Sequence, residues 1–182
     1  MILAYRDVLI DAPGSHRVRC TDKEEMLTAL YELESRDGAP LVLFGCDVGK
    51  VSDAERRRLM RRIGFVPANG GLLSNLNAWE NISLPVAYHA PQSLGGALAE
   101  VHALLNELGG VDDALLAKLP DDMTLYERRL AAYIRALLEA PDLLVVDDAE
   151  TGLGATKRRR ATRFAEVYRT RFPGGTYVEF NT

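Results

Sequence analysis

Short apolar segments alternate with helical segments along most of this chain, and this alternation limits the possible folds more than any other feature of the sequence. Leu143–Val146 and Leu41–Phe44 are apolar throughout, too short for helices, and therefore expected to be buried strands. A strong helical pattern precedes the first of them, over Thr124–Glu139. Strands that alternate with helices in this way predict an α/β fold built on a parallel sheet.

The remaining segments extend the alternation and set the boundaries that we expect. A helix is predicted to open at Thr21 with a capping box, in which the Thr21 hydroxyl and the Glu24 carboxylate each satisfy a free backbone N–H group. A run of helical segments between Ala78 and Arg135 interrupts the order of strands. The other predicted strands are Met1–Ile10 (an edge strand), His16–Cys20, Ile63–Val66 and Thr176–Phe180, and the other predicted helices are Ser52–Arg62, Ala78–Ala87, Leu94–Leu108, Asp112–Leu119 and Thr156–Arg171.

Composition excludes several classes of function. The 182 residues carry a formal net charge of −4, so the surface as a whole does not attract nucleic acid. Cys20 and Cys46 are the only cysteines and have no metal-ligand spacing, so neither a zinc site nor a disulfide framework is expected. The apolar start of the chain meets Arg6 long before the ~20 residues that a membrane span needs. We therefore expect one cytoplasmic domain that does not itself enter a bilayer.

Three segments, in this order, resemble the nucleotide-binding domain of ABC transporters. AERRRLMRRIGFV (54–66) is similar to the approach to that family's Q-loop, and NGGLLSNLNAWENISLPVAYH (69–89) is similar to the segment after that loop. LAAYIRALLEAPDLLVVDDAETGL (130–153) resembles the signature helix, the Walker B strand and the start of the D-loop. The phrases GLLSNL and LPVAYH look most like the ATPases of bacterial importers that work with MCE-type lipid-binding proteins.

The resemblance implies a trimmed P-loop NTPase fold of the RecA-like kind with a helical insert. It divides a single domain, residues 1–182, into a RecA-like lobe (1–77 and 136–182) and a helical subdomain (78–135). It also places Lys23 at the phosphate-binding lysine, because DKEEMLTALYEL (22–33) aligns with GKSTLLRLLAGL. However, no glycine-rich loop precedes Lys23, and the neighbouring acidic residues occupy the positive end of the helix dipole. A capped helix with an exposed Lys23 is therefore favoured over a phosphate site.

Another stretch, Gly45–Ser52, could be a phosphate loop because it comes directly after an apolar strand. It is one residue short between its glycines, and Val51 stands where a Ser or Thr hydroxyl would bind the metal. The resemblance instead assigns this stretch to a β-turn and the start of a helix.

The resemblance places two acids after the strand Leu143–Val146. Asp147 matches the ligand of the metal, and Asp148 stands where a glutamate would act as general base, one methylene shorter. The alternative is that both acids cap backbone groups at the end of the strand. At the Q-loop glutamine the chain has Ala68, whose side chain offers no donor or acceptor.

The signature segment also departs from the family. Met123–Glu127 aligns with LSGGQ, and Leu125 and Tyr126 replace the glycines that allow close approach to phosphate. No histidine stands at the switch position after the last strand. The resemblance with these replacements implies a pseudo-ATPase that needs no cofactor. The alternative is a divergent ATPase that binds ATP and Mg²⁺ through Lys23, Asp147 and Asp148 and is completed by a partner.

The retained segments indicate a partner. In the family the segment from the Q-loop into the helical insert contacts the membrane permease, so Ala68, Leu72, Leu73 and Trp79 are the predicted contact residues, although core burial is favoured for Trp79. A permease subunit or an active ABC ATPase paralogue are the expected partners, and they would hold the protein at the inner face of the membrane. A third possibility is a free-standing protein that kept only the fold. Two basic runs, in Arg56–Arg62 and Lys157–Arg160, are expected to be solvated helix faces rather than contacts for anionic headgroups.

Overall fold

The computed structural model of the protein describes residues 1–109 and 113–181, and its elements follow the alternation of the sequence. In these residues the strands are Leu3–Tyr5 (β1), Val8–Ile10 (β2), Gly14–Val18 (β3), Val42–Leu43 (β4), Cys46–Asp47 (β5), Ile63–Val66 (β6), Leu143–Asp147 (β7) and Thr176–Phe180 (β8). The α-helices are Lys23–Glu32 (α1), Asp53–Met60 (α2), Ala78–His89 (α3), Leu94–Glu107 (α4), Leu125–Leu137 (α5), Ala155–Ala161 (α6) and Arg163–Arg171 (α7). Short 3₁₀ turns lie at Pro91–Ser93, Asp113–Ala117 and Pro120–Asp122.

A four-stranded parallel sheet in the order β3-β8-β7-β6 forms the centre of the protein. Its central strand β7 is apolar and buried on both faces, as expected for a parallel strand covered by helices on both sides. The register places Val146 beside Val66 and Asp147 beside Phe180. The predicted α/β fold with a parallel sheet is confirmed, and β6 and β8 have the predicted bounds.

The first ten residues form a hairpin, so the prediction of a single edge strand is wrong. β1 pairs antiparallel with β2 on one side and with β4 on the other, in a second sheet of order β2-β1-β4-β5. The chain reverses at Arg6, whose φ of 48° lies in the left-handed region, and at Asp7. The reversal lets the strand residues Tyr5 and Val8 both reach the core, which one straight strand with polar residues between them would not allow.

Two hydrophobic clusters lie on the two faces of the parallel sheet. On one face, Leu143 and Val145 pack with α1 and the antiparallel sheet. On the other face, Leu144 and Val146 pack with α3, α4, α5 and α7. The division into a lobe of 1–77 and 136–182 and a helical subdomain of 78–135 remains a prediction.

Several helix ends differ from those predicted. Asp22, not Thr21, caps α1, because its side chain accepts from the N–H of Glu25 while the Thr21 hydroxyl donates to Asp7. The predicted helix Asp112–Leu119 is a 3₁₀ turn over Asp113–Ala117, and Asp112 lies outside the described residues. The predicted helix Thr156–Arg171 is divided into α6 and α7 at Thr162.

Candidate functional site at the carboxyl edge of the parallel sheet

An ion pair joins the first residue of α1 to the last residue of β7. The Nζ atom of Lys23 lies 2.9 Å from Oδ1 of Asp147. The two side chains are 27% and 19% exposed, so the pair is partly withdrawn from water. The prediction of an exposed Lys23 is therefore wrong: the parallel sheet brings the carboxyl ends of β3 and β7 to one edge, and the helix after β3 starts within reach of Asp147.

The connection from β3 to α1 consists of residues 19–22 and contains no glycine. Its last residue, Asp22, accepts from the backbone N–H of Glu25 at 2.9 Å and so satisfies a donor that an anion at this helix end would need. The Glu25 carboxylate is held by the Tyr5 hydroxyl (2.7 Å) and by Nε of Arg6 (2.9 Å). These hydrogen bonds lower the pKa of Glu25, so a second negative charge is fixed on this turn.

Asp148 is buried and supports the turn after β7. It has a φ of 52°, its backbone N–H donates to the carbonyl of Phe180, and its Oδ1 accepts from the N–H of Thr151 at 3.0 Å. This is the capping geometry weighed as an alternative for the two acids. For Asp147 that alternative does not describe the observed contact, which is the ion pair with Lys23. The catalytic and metal-binding roles of both acids remain predictions.

The other glycine-containing stretch, Gly45–Ser52, begins in the hairpin turn between β4 and β5, continues through β5 and a turn, and ends at a helix cap. The Asp47 carboxylate accepts a hydrogen bond from the N–H of Gly49 (3.1 Å) and forms an ion pair with Nζ of Lys50 (2.8 Å). Ser52 then caps α2 in a capping box with Glu55. The stretch therefore has the β-turn geometry that the resemblance assigns to it.

A buried arginine that we did not predict ties the site together. Arg129 on α5 is 4% exposed, and its guanidinium donates to the carbonyls of Ala68 (2.6 Å), Thr151 (2.8 Å) and Ala149 (3.1 Å). Burial lowers the pKa of Arg129, while the charges of Asp148 and Asp147 raise it. The sequence did indicate a buried arginine, because Arg129 falls on the apolar face of a strongly amphipathic helix.

The segment aligned with the family signature is a helix start that is capped by its own side chains. Thr124 and Glu127 form a capping box, and Nζ of Lys118 lies 2.7 Å from Oε1 of Glu127. Burial opposes the charged form of Glu127, but the hydrogen bonds from Lys118 and Thr124 prevail and lower its pKa to about 2. Tyr126, at a glycine position of the signature, is buried against Phe164.

A shallow groove of about 250 Å³ lies next to the loop after β6, and one of the four predicted partner-contact residues, Leu72, lines it. Leu73 is 49% exposed. Trp79 is half-buried and packs against the core cluster, which is the role favoured for it from the sequence. Ala68 is half-buried, and Arg129 holds its carbonyl. These positions permit contact with a partner, and the contact itself remains a prediction.

Solved structures with the same fold are ATP-binding cassettes. The dimeric post-hydrolysis state of the ATP-binding cassette MJ0796, bound to ADP and phosphate, has a TM-score of 0.74 at 15% identity, over 99% of this chain and 85% of that one. The cassette cbiO1 from Clostridium perfringens, part of the ABC transporter complex cbiONQ, has a TM-score of 0.71 at 13% identity, over 96% of this chain and 69% of that one. The protein therefore has the fold of an ABC ATPase cassette.

The sequence relatives name the class more closely. The methionine import ATP-binding protein MetN of Rhizobium johnstonii is 29% identical over 131 residues, which are 72% of this chain and 35% of MetN. The Fe(3+) ions import ATP-binding protein FbpC of Pseudomonas fluorescens is 30% identical over 169 residues, covering 88% of this chain and 46% of FbpC. No family model matches the chain. The chain is a homologue of ABC transporter ATP-binding proteins, although it spans less than half the length of these two relatives, and its kinship with MCE-type ATPases remains a prediction.

No helix among the described residues is long and apolar enough to cross a bilayer.

Proposed function

We propose that this protein is a non-hydrolysing ABC-type subunit that docks on a membrane permease or on an active ABC ATPase and acts there as a scaffold or regulator. The observation that carries the proposal is the ion pair between Lys23 and Asp147. The resemblance assigns Lys23 to the phosphates and Asp147 to the metal of a Mg²⁺-nucleotide. Here the two side chains instead form an ion pair with each other.

Three features around the pair support the proposal. A nucleotide would have to separate the ion pair, displace the Asp22 carboxylate from the start of α1 and approach a short connection without glycine. The fixed charge of Glu25 would repel its phosphates at the same turn. The residues at this edge therefore do not fit ATP with Mg²⁺, and we derive no hydrolytic step for them.

The docking part of the proposal rests on the loop after β6, which exposes Leu73, and on the groove beside it, which Leu72 lines. The loop is held firmly: Arg129 binds the carbonyl of Ala68, Nη1 of Arg135 donates to the carbonyl of Gly71 (3.0 Å), and Asn81 binds both backbone groups of Leu73. Such a loop presents Leu72 and Leu73 in a fixed position without a bound nucleotide. The relatives are named as import ATPases, so we place the partner in an importer on the cytoplasmic face, with methionine, iron ions and the lipids of MCE-type systems as candidate cargoes.

Nucleotide binding is tested by thermal unfolding with Mg²⁺-ATP. A ligand at a hundred times its Kd stabilises by ~2.7 kcal/mol, which raises the Tm of a domain of this size by roughly 5–10 °C. We expect no shift at millimolar Mg²⁺-ATP and no phosphate release above that of Asp147→Asn, with an active import ATPase as the positive control. A shift or a turnover that Asp147→Asn abolishes would refute the non-hydrolysing assignment.

Docking is tested by co-expression with any permease and ATPase subunits that are encoded beside the gene. We expect co-purification that Leu73→Glu weakens at least tenfold. Leu9→Glu is the matched control, because Leu9 is also an exposed leucine (61%, against 49% for Leu73) and lies elsewhere, on the edge strand β2. Equal loss in both variants, or co-purification with none of these subunits, would contradict the docking role.

A further inference from the structure

Two guanidinium groups converge beside the C-terminal end of α4. A methyl group at the Cβ position of Gly109 would lie 3.6 Å from Nη1 of Arg163 and 3.8 Å from Nε of Arg160. Among the residues that the structure describes, 1–109 and 113–181, neither guanidinium has a hydrogen bond or an ion pair. The nearby Arg171 behaves differently, because it pairs with Glu107 at 2.6 Å and also with Glu100. Two like charges thus lie beside the same glycine without a counter-ion from the described chain.

A buried hydroxyl group lies within electrostatic range of the same two arginines. Tyr126 is 2% exposed, and its Oη atom has no hydrogen-bond partner. Burial raises the pKa of Tyr126, and the charges of Arg160 and Arg163 act in the opposite direction. Buried hydroxyl groups in folded proteins nearly always have a partner, so the unpaired group indicates a ligand or a water at this position.

The surroundings add further positive charge. Nζ of Lys157 lies 5.7 Å from the centroid of the Tyr126 ring and donates to the Thr124 hydroxyl at 3.2 Å. No acidic residue interrupts the sequence between Glu150 and Glu166, although the whole chain is negative. A solvated helix face, as expected from the sequence, explains the exposed arginines but not their convergence or the buried hydroxyl.

We propose that Arg160, Arg163 and Tyr126 form a binding site for a phosphate-type oxyanion, either a free phosphate or the phosphate of a lipid headgroup. Guanidinium groups offer several N–H donors in a plane that matches phosphate oxygens, and charge-assisted hydrogen bonds of this kind are strong. The buried tyrosine hydroxyl, which has no partner of its own, would supply a neutral donor. The site lies on the α5 and α7 face of the parallel sheet, whereas Lys23 lies with α1 on the opposite face.

The first experiment measures binding of inorganic phosphate to the full chain by thermal unfolding, at an ionic strength held constant with chloride. We expect a saturable rise in Tm. The Kd should increase at least tenfold in Arg160→Gln/Arg163→Gln and severalfold in Tyr126→Phe, which keeps the aromatic packing. The matched control is Arg57→Gln/Arg61→Gln, which removes two exposed charges from α2 and its C-terminal end and should leave the Kd unchanged. An equal effect of the two double variants would refute the site, since it would indicate general charge attraction.

The second experiment distinguishes the two sources of phosphate. Phosphatidylcholine vesicles with and without phosphatidic acid are sedimented with the protein, in the presence and absence of inorganic phosphate. Retention on phosphatidic acid that Arg160→Gln/Arg163→Gln abolishes and Arg57→Gln/Arg61→Gln leaves intact identifies a lipid headgroup. Phosphate binding without such retention identifies a free phosphate. Absence of both overturns the proposal, and neither result depends on Asp147, so the proposal can fail independently of the one made for ATP.

Discussion

Replacing Arg129 by methionine is the most direct test of how the site is held together. The guanidinium links the loop after β6, through the carbonyl of Ala68, to the turn after β7, through the carbonyls of Ala149 and Thr151. Methionine is apolar and fills the space of the aliphatic part of the arginine side chain, so Arg129→Met removes all three hydrogen bonds while most of the packing is kept. The three carbonyl groups then lose their partner at the same time.

The loss of unfolding free energy in Arg129→Met depends on opposing contributions. A hydrogen bond from a charged donor contributes ~1.5–3 kcal/mol, so the three bonds set an upper limit of roughly 4.5–9 kcal/mol for Arg129. Two effects reduce this limit: Thr151 is exposed, so its carbonyl can bind water, and removing a buried charge also removes its desolvation cost. We expect Arg129→Met to lower the free energy of unfolding by about 3 kcal/mol.

Urea denaturation measures this change, and amide hydrogen exchange locates it. Exchange should accelerate most around Ala68 and Ala149, the two loops that Arg129 joins. Arg129→Lys keeps the charge, but a single ammonium cannot reach all three carbonyls, so its loss should be intermediate. Arg57→Met, on the exposed face of α2, should change stability by less than about 0.5 kcal/mol. A loss below about 1 kcal/mol for Arg129→Met, or equal losses for the methionine and lysine variants, would refute this account of the site.

Three further predictions concern single contacts. Lys23→Met and Asp147→Asn should each lower the free energy of unfolding only slightly, because the ion pair is only partly buried. A double-mutant cycle measured by urea denaturation should give a coupling energy of about 0.5–1 kcal/mol. Zero coupling would show that the pair does not form in solution. The folded-state pKa of Glu127 is lowered to about 2, so its stabilising contribution is present above pH 4.5 and is lost as the pH falls toward 2. The difference in unfolding free energy between wild type and Glu127→Gln should therefore vanish over that range. Gly70→Ala should destabilise the protein by at least about 2 kcal/mol, because the added Cβ atom would lie 2.7–2.8 Å from side-chain and backbone atoms of Arg128 and because the φ of Gly70 is 92°. A neutral effect in thermal unfolding would contradict the close packing of this loop on α5.

The sequence predicted the parallel sheet well because its strands are short, apolar and separated by helical patterns. The bounds of β6 and β8 agree with the prediction for this reason. The hairpin of β1 and β2 was missed because Arg6 adopts a left-handed backbone conformation without a glycine or asparagine to indicate a turn. Local propensity favours other residues there, and pairing of β1 with both neighbours overrides it.

The contacts of the site could be predicted only in part, because they join residues far apart in the sequence. Lys23 and Asp147 are separated by 124 positions, and both were named from a resemblance, yet their direct pairing depends on the short connection after β3 and on the place of β3 in the sheet. Arg129 was missed for a different reason. A single arginine on an apolar helix face can extend its charged group to the surface, and only the fold shows that three carbonyls lie around it.

The residues that depart from the family pattern have structural tasks of their own at this edge of the sheet. Asp148 has a φ of 52°, a conformation that aspartate tolerates better than most residues, and its short side chain reaches the N–H of Thr151. A glutamate would place its carboxylate one methylene further out and would give up this cap, so the residue that looks like a shortened general base is the one that the turn requires. Asp22 and Lys23 are engaged in the same way, one as a helix cap and the other as an ion-pair partner. Under the function proposed above, restoring a single motif residue would break a contact before it created a nucleotide site, and ATP binding at this edge would require a glycine-containing loop, a new helix cap and a released Lys23 together.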